Sequence, residues 1–350
     1  MRAPKRSDLA LESYTFVKTV LMILVIVDHS CAFWTEHWFS VITPAIKEPH
    51  LAVLSSWLGT FHTYAFTLVS GYIFKYKVEK GDYRLYIPFL RNKAKRLLVP
   101  YWFTMVIWVA PLSVLFLHLN ASDVFKKYIL CINPSQLWFL WMLFDVFAIM
   151  WILWKKTALK PCATMMAVAS LYILGIIGDI LLSNIFCIWT ACKYTLCFYL
   201  GILIRENQDR KEWQFIKSIP SSILIIGDFM AFAGINYLSD QNGLKWRLLQ
   251  YVLILFLNCF GAIAAVLILE KISLLVSWKE SKPFSYLSRY SMSMYLFHQQ
   301  LIYISIVILN GLVAPWLNAT INFVFALAGS FFISSLMMKF KVTRVLIGEK

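Results

Sequence analysis

Five ionisable side chains fall where the chain is otherwise hydrocarbon: Lys18, Asp28, His29, His62 and His298. A Lys or Asp at the centre of a spanning helix costs about 2.5 to 3.5 kcal/mol on insertion scales, so such groups face a bundle interior or a wet cavity. An imidazole at that depth suits proton transfer or covalent carriage of a group. Lys18 and His29 are eleven residues apart, close to three helical turns. Both therefore lie on nearly one face, about 16 Å apart along the axis. Asp28 adjoins His29, but successive helix residues point about 100° apart, which argues against an Asp28–His29 dyad and makes Asp28 a second-rank candidate. In the segment Tyr290-Ser291-Met292-Ser293-Met294-Tyr295-Leu296-Phe297-His298, Tyr295 precedes His298 by one turn on the same face. One such histidine is most simply a satisfied core residue. Three of the six in the chain at comparable depth point to a reaction chamber.

The elements that must position these groups are spanning helices. Of 350 residues, 60% are hydrophobic, 17% aromatic and only 15% charged, with a mean hydropathy of +0.68. That excludes an ordinary soluble domain, and apolar runs of about 20 residues match a hydrocarbon core about 30 Å thick. The expected class is all-α: one polytopic bundle over residues 1–350. About ten spans are expected, near 14–34, 51–74, 97–119, 135–154, 162–182, 185–204, 218–238, 248–269, 284–309 and 316–338. Lys18 interrupts the first apolar stretch and no small-residue cleavage site follows, so that stretch reads as a helix rather than a signal peptide. The net charge of +15 does not indicate nucleic acid, because the basic residues concentrate in the connections between spans. Seven cysteines form neither a CxxC nor a zinc spacing; they read as small packing residues, and no metal is expected.

Orientation follows from the same charges. Taking the N-terminus as cytoplasmic, the inner segments hold Arg2, Lys5 and Arg6, the eight basic residues from Lys75 to Arg96, and Lys155, Lys156 and Lys160. Later inner segments carry Arg205, Arg210, Lys211, Lys217, Lys271, Lys279, Lys282, Lys339, Lys341, Arg344 and Lys350. The outer ones hold only Lys47, Lys126, Lys127, Lys245 and Arg247. Both termini are expected in the cytoplasm. Lys18 then lies near the inner face and His29 in the outer half. The run Arg91-Asn92-Lys93-Ala94-Lys95-Arg96 serves topology and lipid attraction, or a phosphate grip in which Arg91, Lys95 and Arg96 share a helix face; spacing does not choose between them. Trp138 and Trp141 suit an interfacial belt or a substrate platform. Connections 205–217 and 270–283 read as ordinary solvated loops.

Taken together, these stretches resemble the acyltransferase type 3 family of integral membrane enzymes. Members typically open with an arginine, ten residues and a histidine, a frame occupied here by Lys18 and His29. Four further phrases follow in the family's order: Phe61-His62 with Phe66 and Ser70-Gly71-Tyr72; the basic run into Arg96-Leu97-Leu98-Val99-Pro100; Leu137-Trp138-Phe139-Leu140-Trp141; and Tyr290-Ser291 through Tyr295 to His298. Lysine keeps the positive charge of the family arginine but lacks its planar fork. The resemblance implies transfer of an acyl group, usually acetyl, from cytoplasmic acetyl-CoA or another acyl-CoA to a hydroxyl. The acceptor would be a surface glycan or lipid-linked oligosaccharide precursor at a bacterial cytoplasmic membrane. It implies catalytic roles for His29, Lys18, Asp28, His62 and His298 and donor contacts at Arg91, Lys93, Lys95, Arg96, Ser70 and Tyr72. Acceptor contacts are implied at Trp138, Trp141 and Tyr295.

Two other functions fit the same apolar chain. A glycan or lipid exporter would use the buried charges as a path, but such transporters commonly show paired halves with interrupted helices, and no corresponding halves are evident. A catalytically silent family member would act as a scaffold for glycan assembly.

Overall fold

The computed structural model describes residues 6–39, 41–157, 160–239, 241 and 243–349; Arg2, Lys5 and Lys350 of the charge tally lie outside them. The described residues form helices and no strand, and nine helices are long and apolar enough to cross a membrane. Helix α1 spans Arg6–Cys31. It packs against helices α2 (Pro49–Gly59), α3 (His62–Glu79), α9 (Leu244–Leu275), α10 (Lys282–Leu309) and α11 (Pro315–Met337), which makes it the hub of the bundle. Between α3 and α9 run α4 (Tyr86–Leu117), α5 (Trp138–Thr157), α6 (Pro161–Leu181), α7 (Ile188–Asn207) and α8 (Ser221–Ser239). The most apolar windows of α1 and α10 are 67% buried, those of α6 and α11 only 22%. The first pair is therefore interior and the second lipid-facing.

The expected second span, 51–74, is split. Helix α2 ends at Gly59 and α3 starts at His62. Glycine is a poor helix former, and the Thr60 hydroxyl donates to the Trp57 carbonyl at 2.6 Å, competing for the group that would continue the ladder. A broken backbone at membrane depth is tolerated where it lines a cavity. This break does so.

The third expected span also differs, beginning at Tyr86 rather than near residue 97. The basic run Arg91–Arg96 is thus helical and not a connection. Pro100 sits inside α4, and a π turn follows over Met105–Val109. Proline removes one ladder donor, and such turns commonly accommodate the mismatch.

Helices α3 and α7 cross at backbone contact. A methyl added at Gly71 would overlap the Phe198 carbonyl oxygen, and one at Gly201 would overlap the Leu68 carbonyl oxygen. These reciprocal glycines fix the height of α3, and with it His62, against the rest of the bundle.

Candidate active site

The split between α2 and α3, the C-terminal end of α1 and the start of α5 border a cavity of ≈ 380 Å³. Its wall includes Asp28, His29, His62, Trp138 and Tyr295, which are five of the residues singled out from sequence. His298 stands directly behind His29: His29 Nδ1 and His298 Nε2 are 2.7 Å apart, and the rings are nearly parallel at 12°.

The hydrogen-bond partners assign the tautomers. His298 Nδ1 lies 2.7 Å from the Tyr295 carbonyl oxygen. A carbonyl only accepts, so Nδ1 carries the proton and, in the neutral ring, Nε2 is an acceptor. His29 therefore donates from Nδ1, and its Nε2 holds a lone pair. His29 is half-buried and lines the cavity. The arrangement delivers a neutral, oriented base to an enclosed space.

A second imidazole is oriented differently. Asp28 Oδ2 is 2.7 Å from His62 Nε2, and Asp28 Oδ1 accepts a 2.5 Å hydrogen bond from the Ser55 hydroxyl. The carboxylate beside His29 in the chain thus serves His62, as the 100° turn between neighbours requires. With Nε2 donating to the carboxylate, His62 presents a buried Nδ1 for which no protein partner is found among the described residues. Ser55 comes from α2 and His62 from α3, so the helix break is what lets both ends of the Asp28 carboxylate be used.

The supporting shell explains why His298 sits where it does. Gln136 Nε2 donates to the Leu296 carbonyl at 3.0 Å and to Gln300 Oε1 at 2.7 Å, and Gln300 Nε2 returns a bond to Gln136 Oε1 at 3.2 Å. The Tyr295 hydroxyl donates to the Gln136 carbonyl. These bonds pin the Tyr295–Gln300 turn of α10 to the entry of α5. Tyr64 and Tyr194 stack at 4.2 Å, with Trp138 edge-on to Tyr194 at 5.7 Å, giving the cavity an aromatic side. Gln136 and Asn258 give it amide groups. Sequence reasoning missed Ser55, Gln136, Gln300, Tyr64, Tyr194 and Asn258. The available signal was amide and hydroxyl residues in strongly apolar helices, notably Gln136 beside Leu137-Trp138 and Gln300 two residues after His298.

Other expected residues lie elsewhere. Trp141 stacks on Phe186 at 5.1 Å and packs edge-on to Tyr101, away from the cavity. Tyr72 is buried, donates to Gln208 Oε1 at 2.7 Å and rests on Tyr14; the Ser70 hydroxyl donates to the Phe66 carbonyl. Lys18 shares its electrostatic surroundings with Arg96 and Glu349. Lys93 is turned inward, 3.5 Å from the centre of the Phe147 ring and within reach of Tyr83 and Phe89, with Arg96, Lys18 and Lys77 as the neighbouring charges. Such a cation–ring contact is worth about 0.5 to 2 kcal/mol. Arg91, Lys95 and Arg96 are exposed. Burial raises the Glu349 carboxyl above the usual range, with Arg96, Arg289 and Lys18 pulling it down. Lys18, Lys93 and Arg96 thus form one cationic end, and the three imidazoles with Asp28 form the other.

Of the other charges within the helices, Lys193 pairs with Asp179, and Asp228 Oδ2 accepts a hydrogen bond from Trp57 Nε1 at 2.8 Å. Asp145 Oδ2 is buried without a hydrogen-bond partner among the described residues. All seven cysteines are free. Among the described residues, no group of three or more His, Cys, Asp or Glu is placed to hold a metal ion.

The model of a family described as an acyltransferase domain matches residues 11–337 of the chain. No curated protein and no solved structure matches it.

Proposed function

The chain belongs to the acyltransferase type 3 family, a family of membrane acyltransferases, and from that premise we propose that it acetylates a hydroxyl of a surface polysaccharide or lipid-linked glycan precursor. The donor is acetyl-CoA or another acyl-CoA, the setting is a bacterial cytoplasmic membrane, and the whole chain works as one unit with both termini inside. The observation that carries this reading is His29, with a free Nε2 lone pair, on the wall of a cavity that also holds an Asp28-oriented His62.

In the proposed step the acceptor hydroxyl gives its proton to His29 Nε2 while its oxygen attacks the thioester carbonyl. The carbon–sulfur bond breaks, the ester carbon–oxygen bond forms, and the leaving thiolate takes the proton back from His29. His298, anchored on the Tyr295 carbonyl, holds the His29 ring through the cycle. His62, held by Asp28, lines the same space and would serve as an acceptor for a second hydroxyl of the sugar or as a second base. The aromatic side formed by Trp138, Tyr64 and Tyr194 suits the apolar face of a sugar ring, and Gln136 and Asn258 suit its hydroxyls. Lys18, Lys93 and Arg96 suit the phosphates of the donor, whose pantetheine arm would run along α1 toward His29.

The test is proton spectroscopy of the glycan from cells carrying the wild-type chain, a His29→Ala variant or no copy. Ester-linked acetate that disappears after mild base should be present only with the wild type. Unchanged acetate in the variant, with protein still in the membrane, rejects the assignment of His29. Solute flux through reconstituted vesicles in the absence of any acyl donor would instead favour export.

A further inference from the structure

A second cavity, also ≈ 380 Å³, opens where α1, α10 and the connection between α9 and α10 meet. Its wall carries Thr15, Trp278, Lys279, Ser285, Ser288 and Arg289. Glu12 also lines it and is ion-paired with Lys279. The connection was expected to be an ordinary solvated loop. Instead Trp278 packs against Phe16 at 5.6 Å and Phe284 at 5.5 Å, and its indole N–H donates to the Ser273 carbonyl at 3.0 Å. The rear wall is therefore built, not a transient gap between loops.

Ser285, Ser288 and Arg289 recur at helical spacing, so the two hydroxyls and the guanidinium share one face of α10. No ion pair of Arg289 is found among the described residues; Glu349 is an acidic group close enough to feel its charge. With Lys279 matched by Glu12, the described wall carries one further positive charge, that of Arg289, and several hydroxyl donors. That is the chemistry of a phosphoryl group, which guanidinium holds through two parallel hydrogen bonds. The same corner is flanked by apolar surface: Leu274 and Leu275, at the end of α9, are 75% and 84% exposed. Thr15 stands one turn before Lys18 on α1, so the cavity sits at the cationic end of the bundle.

We propose that this cavity binds a phosphoryl group, with Arg289 supplying the charge, Ser285 and Ser288 the hydroxyl donors, and the α9 end a track for attached acyl chains. The exposed leucines favour an anionic phospholipid as its source over a soluble phosphate. Its residues line no part of the reaction cavity.

Purified full-length protein in detergent, titrated separately with phosphatidylglycerol, phosphatidylcholine and sodium pyrophosphate, tests this by native mass spectrometry. One phosphatidylglycerol should bind in preference to phosphatidylcholine. Both R289Q and a Ser285→Ala, Ser288→Ala double variant should weaken it, R289Q by about ten-fold, with helix content by circular dichroism unchanged. Pyrophosphate binding that needs Arg289, without lipid preference, keeps the phosphoryl site and assigns it a soluble occupant. Equal binding of the two lipids with no Arg289-dependent pyrophosphate binding overturns the proposal, as does wild-type affinity for every probe in both variants.

Discussion

His29 and His62 are both imidazoles on one cavity wall, but their partners differ in kind, and so should the consequences of changing them. His29→Ala removes the proposed base, and the acyl-transfer rate should fall by about 10² to 10⁴-fold. Asp28→Asn keeps the shape around His62 but replaces an ionic acceptor with an amide; activity should fall while His29→Ala in that background costs less than in the wild type, a coupling readable in a double-mutant cycle. Lys18→Arg should keep or raise activity, because a guanidinium restores the bidentate donor usual at this place in the family; complete loss would show that the ammonium has its own role. At this scale the sequence was informative about which residues and silent about which pairs. His29, His62 and His298 were visible as ionisable groups out of place in apolar stretches. That His298 answers His29, and Asp28 answers His62, depends on three helices meeting, which no spacing within one helix encodes.

Helix α3 is positioned by backbone contact, and the chain offers a built-in comparison. Gly71 faces the Phe198 carbonyl with no room for a methyl, whereas a methyl on Gly234 in α8 would meet nothing within 4 Å. Gly71→Ala should therefore destabilise the protein by about 1 to 3 kcal/mol or more through forced separation of α3 from α7. Gly234→Ala should be neutral or stabilising by up to about 1 kcal/mol. Thermal denaturation of the two detergent-solubilised variants checks this, and equal midpoints would refute the packing argument. The helices themselves were largely legible, since runs of about 20 apolar residues leave little else to form. The split at Gly59–Thr60 and the early start of α4 were not. Hydropathy integrates over a window, so it neither resolves a two-residue interruption nor extends a helix into a basic run that helical propensity and packing alone sustain.

For the whole molecule, orientation is the property on which the donor's route depends. Cys162 is the exposed member of the seven cysteines and is the second residue of α6, two after Lys160. If the basic connections are cytoplasmic, a membrane-impermeant maleimide should label Cys162 in inverted vesicles and not in right-side-out ones. Labelling from the opposite face would reverse the topology and place the cluster of Lys18, Lys93 and Arg96 beyond the reach of cytoplasmic CoA. One more property belongs to this scale. Lys18 and His29 hang on the same unbroken α1, whose residues from Arg6 to Cys31 include neither proline nor glycine. The interval between them cannot stretch or hinge, so in the proposed reaction α1 is a ruler for the donor. A thioester on a truncated carrier would fall short of the imidazole even when its acyl group is correct, making carrier length, before acyl identity, the first thing this protein measures.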